Sequence, residues 1–190
     1  VPDGVANDRW ARYPMPAPGT LWNRVVTAAL HHGDAIWPLL PRRMRRFGLP
    51  SAPVGDYRTP EYDSPDEVTP YKWEMARGLG PSFGYNAREG EAETLSLAAL
   101  VHLLVEVVSK NGNLLIGVGP MADGTISEVQ RARLLGLGEW LAVNGEAVFG
   151  TRPWKRAAGV TGDGRAVRFT RGGDALYVAV LGAASAGGLV

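Results

Sequence analysis

Between Ser96 and Asn144 the hydrophobic period changes twice, and this alternation constrains the fold more than any other feature of the sequence. After Ser96, a good helix cap, Leu97, Leu100, Val101, Leu104, Val105 and Val108 recur at spacings of three and four, and Asn111-Gly112 supplies the stop. Leu103 and Val107 widen the apolar face, so this helix is expected to pack on two sides. The next stretch, Asn113-Leu114-Leu115-Ile116-Gly117-Val118, is a continuous apolar run closed by Gly119-Pro120. A strand of that kind is expected to be buried on both faces, as in a parallel sheet. Thr125-Ile126-Ser127-Glu128 then reads as a capping box. It opens a second helix to about Val143, with Leu134, Leu137, Trp140 and Leu141 inward and Asn144-Gly145 as the stop. Helix, buried strand, helix is an α/β rhythm.

The rhythm breaks after Trp154. Ala166 to Thr170 and Ala175 to Leu181 read as two strands around Arg171-Gly172-Gly173-Asp174, a hairpin signal. A domain boundary is therefore expected near residues 150–156. An isolated two-stranded hairpin is marginal in water, so further strands are expected beyond Val190. At the other end, residues 1–62 are loop-rich, with prolines at 14, 16, 18, 38, 41, 50, 53 and 60. Leu21 to Leu30 has the makings of a short helix, and the basic cluster Pro41-Arg42-Arg43-Met44-Arg45-Arg46 reads as a solvated insertion. The start, Val-Pro-Asp-Gly, has neither an initiator Met nor a signal pattern. Both ends read as cuts within a longer protein.

Composition narrows the chemistry. Across 190 residues, 20 Lys and Arg balance 19 Asp and Glu, for a formal charge of +1. That argues against a dedicated nucleic-acid or membrane-surface binder, which carries a marked basic excess. No apolar run reaches the roughly 18 residues needed to span a bilayer. The absence of Cys excludes disulfides, a thiolate nucleophile and Cys-ligated metals, and 3 His argue against a His-rich metal site. No dinucleotide fingerprint, P-loop or nucleophile elbow occurs. Gly117-Val118-Gly119-Pro120 reads as a strand-ending turn, since Pro120 removes a backbone donor, and Asp123-Gly124 lacks the further ligands of a calcium loop.

Carboxylates and aromatic rings remain as the chemical resource. They cluster at Asn7-Asp8-Arg9-Trp10 and again between Asp56 and Asn86. Such a mixture suits sugar chemistry: rings stack on C–H faces, and an apolar wall helps a carboxyl keep its proton. The same residues also crowd ordinary domain surfaces, so composition alone leaves both readings open.

The order of motifs is more specific. Asn7-Asp8-Arg9-Trp10 is followed by Tyr57-Arg58-Thr59-Pro60-Glu61-Tyr62, Lys72-Trp73-Glu74 and Ser82-Phe83-Gly84-Tyr85-Asn86. Then come Val107-Val108-Ser109-Lys110-Asn111-Gly112-Asn113-Leu114-Leu115, Val118-Gly119-Pro120 and Asp123-Gly124-Thr125-Ile126. Leu135-Gly136-Leu137-Gly138-Glu139-Trp140-Leu141, Asn144-Gly145-Glu146-Ala147 and Gly150-Thr151-Arg152-Pro153-Trp154 complete the series. In this order, over residues 1–11 and 55–182, the sequence resembles the glycoside hydrolase family 29 α-L-fucosidases.

The resemblance implies the second half of a (β/α)8-like TIM barrel followed by the first strands of a C-terminal β-sandwich. Residues 1–153 would belong to the catalytic barrel, with 12–54 as an insertion, and 154–190 to the sandwich. It also implies removal of terminal α-L-fucose with retention, by an Asp nucleophile and a separate acid/base, with no metal or other cofactor. Glu61 matches the bacterial acid/base, with Glu74 and Asp56 as reserves. Glu74 otherwise reads as a barrel-strand carboxylate paired with a base. Arg9 matches an arginine reaching the fucose and the nucleophile, and Phe83 the aromatic on the sugar's C6 methyl. The plainer readings are a surface Glu61, an Arg9 paired with Asp8, and a core Phe83. Trp10, Trp73, Tyr85 and Trp140 read as core or rim.

Two departures stand out. The family's nucleophile motif, Trp-x-Asp, and its early histidines lie upstream of Asn-Asp-Arg-Trp and are absent here. Leu21-Trp22-Asn23-Arg24 imitates the motif but carries Arg in place of the carboxylate. Residues 12–54 also exceed the usual link between the arginine and the acid/base. The expected partner is a fucosylated glycan, with no nucleic acid or membrane; homo-oligomerisation and a secreted, periplasmic or cytoplasmic location stay open. The alternatives are an inactive carbohydrate-binding relative, a pseudogene product, or a hydrolase of another sugar. The isolated chain is expected to be poorly stable and inactive, since half a barrel leaves sheet edges unpaired.

Overall fold

The structure, a computed structural model, describes residues 56–182. Arg9, the helix expected at 21–30, the basic cluster and the insertion 12–54 all lie outside the described residues. The elements below belong to the compact unit that begins at Thr59.

Strand β1 (Trp73–Gly78), helix α1 (Leu97–Ser109) and strand β2 (Gly112–Gly117) form a β-α-β unit. The two strands pair in parallel, from Trp73 opposite Gly112 to Gly78 opposite Gly117. Parallel neighbours need a crossover, and α1 provides it. Ser96 caps α1 as expected, its hydroxyl accepting from the Ala99 amide at 3.2 Å. The helix stops where Asn111 takes the left-handed φ of 74°. Gly112 follows because a Cβ there would lie 2.5 Å from the Trp73 ring. That close approach lets β2 leave α1 directly beneath the core.

The core is centred on Trp73, Met75 and Val107, with Tyr71, Leu103 and Leu114 packed against it. Leu100, Leu104 and Val105 are also buried. Each such side chain contributes roughly 1.5–3 kcal/mol by leaving water. Helix α1 does pack on two sides, against β2 and helix α2 (Glu128–Asn144) and against strands β3 (Arg152–Val160) and β4 (Ala166–Gly172). Its remaining flank, with Val101 and Val108, lines a cleft of about 770 Å³ shared with Trp140 and Tyr177.

Two expectations are corrected. Strand β2 is not buried on both faces among the described residues: Asn113 is exposed and Leu115 is 47% exposed. The helices cover one face of the two-stranded sheet, and Glu74, Ala76, Leu115 and their neighbours alternate onto the other. The cap of α2 is Ser127, whose hydroxyl accepts from the Gln130 amide, and not Thr125. Asp123 is the reason. Its carboxylate accepts from the Thr125 amide at 3.0 Å and hydroxyl at 2.8 Å, holding Thr125 in a turn ahead of the helix. Leu134, Leu137, Trp140 and Leu141 of α2 are each half-buried.

A short 3-10 turn (Gly145–Ala147) leads into the antiparallel sheet β3-β4-β5, where β5 is Ala175–Val180. The expected hairpin is β4-β5, closing at Gly172 opposite Ala175 with Gly173 at φ 55°. Its third strand comes from upstream: β3 pairs with β4, and its ladder shifts between Pro153 and Ala158. Arg168 of β4 ties this sheet to α1 through an ion pair with Glu106, which also pairs with Lys110. Burial opposes the Glu106 charge, but the hydrogen bonds and charges of Lys110 and Arg168 outweigh it and hold its pKa below the ordinary 4.5. No described helix is long and apolar enough to cross a membrane.

Candidate active site at the strand ends

Parallel strands collect functional loops at their C-terminal ends, where the backbone leaves the sheet. Here those ends are Gly78 and Gly117. Glu61 reaches them by a parallel bridge to Ala76. The Ala76 amide donates to the Pro60 carbonyl at 3.0 Å, and the Tyr62 amide donates to the Ala76 carbonyl at 3.3 Å. Pairing with Ala76 sets Glu61 on the face of β1 away from Trp73 and Met75. The residue is exposed.

Tyr62 follows at φ 52°, a left-handed conformation that is rare for a bulky side chain. Its hydroxyl accepts from the Gly78 amide at 3.0 Å and faces the carbonyls of Gly80 and Pro81 at 3.2 and 3.0 Å, to which it donates. Its ring meets Phe83 edge-on, with centroids 5.2 Å apart and planes at 72°. The Arg77 guanidinium sits 4.9 Å from the centre of the Tyr62 ring, and burial lowers the Arg77 pKa while Tyr62 raises it. Glu61 and Phe83, picked out separately in the sequence, are thus joined through Tyr62.

Phe83 is 44% exposed and Tyr85 49% exposed, on a loop that leaves β1 and returns at α1. That loop is internally braced. Glu89 accepts from the Ser82 amide at 3.0 Å and from the Asn86 side chain at 3.2 Å, and Asn86 accepts from the Arg88 amide at 3.1 Å. Gly119, after β2, abuts the same loop: a Cβ there would fall 2.2 Å from the Tyr85 nitrogen. Its amide donates to the buried Gln130 side chain at 3.2 Å, which ties the strand end to α2.

The other sequence candidates fare differently. Glu74 lies on β1 opposite Asn113, half-buried, with no ion pair to another described residue. Asp56 is exposed at the start of the described segment. Trp73 is core, at 1% exposure. The structure adds Tyr62 and Arg77 to the candidate site. Tyr62 stands inside the Thr-Pro-Glu-Tyr motif, but nothing in a one-dimensional pattern reveals a positive φ or a ring partner twenty-one residues away. No group of three or more His, Asp or Glu suited to a metal occurs among the described residues. The large cleft beside α1 is lined by none of these residues and mostly by aliphatic ones, so its chemistry suits packing.

The strand ends therefore combine a carboxyl group able to give and take a proton with aromatic faces able to bind C–H surfaces. The α-L-fucosidase family model matches residues 42–146, beginning inside the segment read as an insertion. Human plasma α-L-fucosidase is 42% identical over 102 residues, 53% of this chain and 22% of its own length. The α-L-fucosidase of Branchiostoma floridae is 31% identical over 175 residues, 90% of this chain and 38% of its own. Among solved structures, Thermotoga maritima α-fucosidase with a mechanism-based inhibitor aligns at 50% identity and a TM-score of 0.66, covering 70% of this chain and 30% of that one. This chain thus spans about a fifth to two fifths of the relatives' length. With more than half of its residues inside the family model and 70% of the chain aligned with a solved relative at 50% identity, the chain belongs to the α-L-fucosidases of glycoside hydrolase family 29.

Proposed function

We propose that this chain supplies the acid/base half of a retaining α-L-fucosidase site, acting on terminal α-L-fucosyl residues of glycans or glycoconjugates. The observation that carries this reading is the bridge that fixes Glu61 at the end of β1, with Phe83 linked to it through Tyr62. In this reading Glu61 protonates the departing glycosidic oxygen while an Asp nucleophile, contributed by sequence outside this chain, bonds to C1 of the sugar. The Glu61 carboxylate then takes a proton from water as the water oxygen bonds to C1 and releases the nucleophile. Phe83 forms the apolar wall for the C6 methyl of fucose, and Arg9 the cation beside the nucleophile. The T. maritima relative has also been solved in complex with fucose, which supports this substrate class.

The corresponding architecture is the second half of a (β/α)8-like barrel through residue 153, then the first strands of a β-sandwich from 154. The open face of β1 and β2 supports this reading, because further barrel strands would enclose Leu115 there. Glu61→Ala in the full-length protein is the test. Activity on phenyl α-L-fucoside, whose leaving group needs protonation, is expected to fall by about 10²–10⁴-fold with an unchanged Tm. On 2,4-dinitrophenyl α-L-fucoside, whose leaving group departs without a proton, azide is expected to restore turnover and yield α-L-fucosyl azide, the product of two inversions. Undiminished activity, or a β-configured azide, would remove Glu61 from the acid/base role.

A further inference from the structure

We infer that Tyr62 is a positioning residue that sets Glu61 and Phe83 in a common frame, coupling proton transfer to recognition of the 6-deoxy carbon. The inference rests on the proposed roles of Glu61 and Phe83 and adds a residue to which no role has been given. Several observations meet at Tyr62. It is directly bonded in the chain to Glu61, and its own amide forms one half of the bridge that holds Glu61 to Ala76. Its φ of 52° is unfavourable for a β-branched or bulky residue and persists only where surrounding contacts over-determine it.

Those contacts are visible. The hydroxyl is held between the Gly78 amide and the carbonyls of Gly80 and Pro81, so the far end of the ring is pinned to the terminus of β1. A Cβ on Gly78 would fall 3.1 Å from that hydroxyl and 2.1 Å from the Ser82 carbonyl oxygen, so the site keeps room for the pin only with glycine there. The ring face takes the Arg77 cation, and the ring packs edge-on with Phe83. A rotation of Tyr62 would therefore move the Glu61 backbone and the Phe83 ring together. Tyr62 itself is 38% exposed, yet its polar end is fully engaged. A residue serving only the core would have no need of this combination.

The experiment uses the full-length enzyme with Tyr62→Phe and Tyr62→Leu, and with Glu61→Ala as the reference. Two ratios are read: activity on phenyl against 2,4-dinitrophenyl α-L-fucoside, and activity on an aryl α-L-fucoside against the matching α-L-galactoside. The dinitrophenyl group leaves without a proton, so the first ratio reports Glu61; the galactoside carries a hydroxymethyl in place of the methyl, so the second reports Phe83. Loss of the hydroxyl in Tyr62→Phe is expected to lower the first ratio about five- to tenfold, the worth of one or two neutral hydrogen bonds. Tyr62→Leu is expected to lower both ratios further, because it also removes the ring contact. A general loss of folding lowers all four activities alike and leaves both ratios unchanged. Unchanged ratios in both variants, beside a Glu61→Ala enzyme that loses phenyl fucoside selectively, would overturn the role of Tyr62 alone. A Glu61→Ala enzyme without that selectivity would overturn the role of Glu61, and the inference with it.

Discussion

The two ends of the β1-β2 pair are built on opposite plans. At the N-terminal end the polar groups of Thr69, Trp73, Lys110 and Asn111 are consumed internally. The Lys110 carbonyl accepts from the Trp73 indole at 3.1 Å and from the Thr69 amide and hydroxyl, both at 3.3 Å. Asn111 donates to the Thr69 and Tyr71 carbonyls and accepts from Lys72, while the Lys110 ammonium donates to the Pro65 carbonyl at 2.8 Å. No described buried side-chain polar atom lacks a partner. At the C-terminal end, Tyr62, Phe83 and Tyr85 are each more than a third exposed. The difference teaches where stability and chemistry reside: satisfied, buried groups resist opening, whereas a site must leave faces and protons available to a ligand.

Substitutions can break that contrast, and the largest effect is expected at the closed end. Trp73→Ala removes the central core side chain and a buried hydrogen bond, and should cost about 3–5 kcal/mol in denaturant unfolding of the full-length protein. A loss below 1 kcal/mol would mean that the closed end is not the stabilising one. At the open end, Gly119→Ala drives a methyl into the Tyr85 backbone, for an expected cost of about 1–3 kcal/mol and a rise in KM as the Phe83 loop shifts. Unchanged kinetics would separate that loop from the site.

A smaller effect lies between the ends, at Glu106. Its pKa is held below 4.5 in the folded protein, so its stabilisation is complete above that value and fades as the pH falls through the lower, folded pKa. Glu106→Gln should cost about 1–2 kcal/mol at neutral pH, trimmed because the group keeps some water contact. In Tm measurements against pH, the gap between variant and parent should close below 4.5; a gap constant with pH would contradict the charge-based origin. Glu128→Ala, by contrast, should change stability by less than about 0.5 kcal/mol, because its pair with Arg131 is solvent-exposed.

Much of this was legible in one dimension. Helix α1, its Ser96 cap, its Asn111-Gly112 stop and the β4-β5 hairpin follow from local pattern, because caps and turns are satisfied by neighbours in sequence. The misplaced cap of α2 shows the limit. Thr125 and Ser127 both suit an N-cap, and only the Asp123 carboxylate, which captures Thr125, decides between them. The reading of β2 as buried on two sides failed for a related reason: apolar content registers what a strand can bury, not what is present to cover it.

For the site, the motif order pointed to Glu61 and Phe83 and to the family, because chemistry demands particular side chains in a particular order along the chain. Their common frame was decided by tertiary structure. The bridge from Glu61 to Ala76 spans fifteen residues, and the Tyr62 ring contact spans twenty-one. Such pairings depend on where β1 ends and how its loop folds back, and on a left-handed backbone that no period of three, four or two encodes. Local sequence sets what each segment can become; long-range contacts, whose closure cost is recovered only when the core forms, select which residues meet.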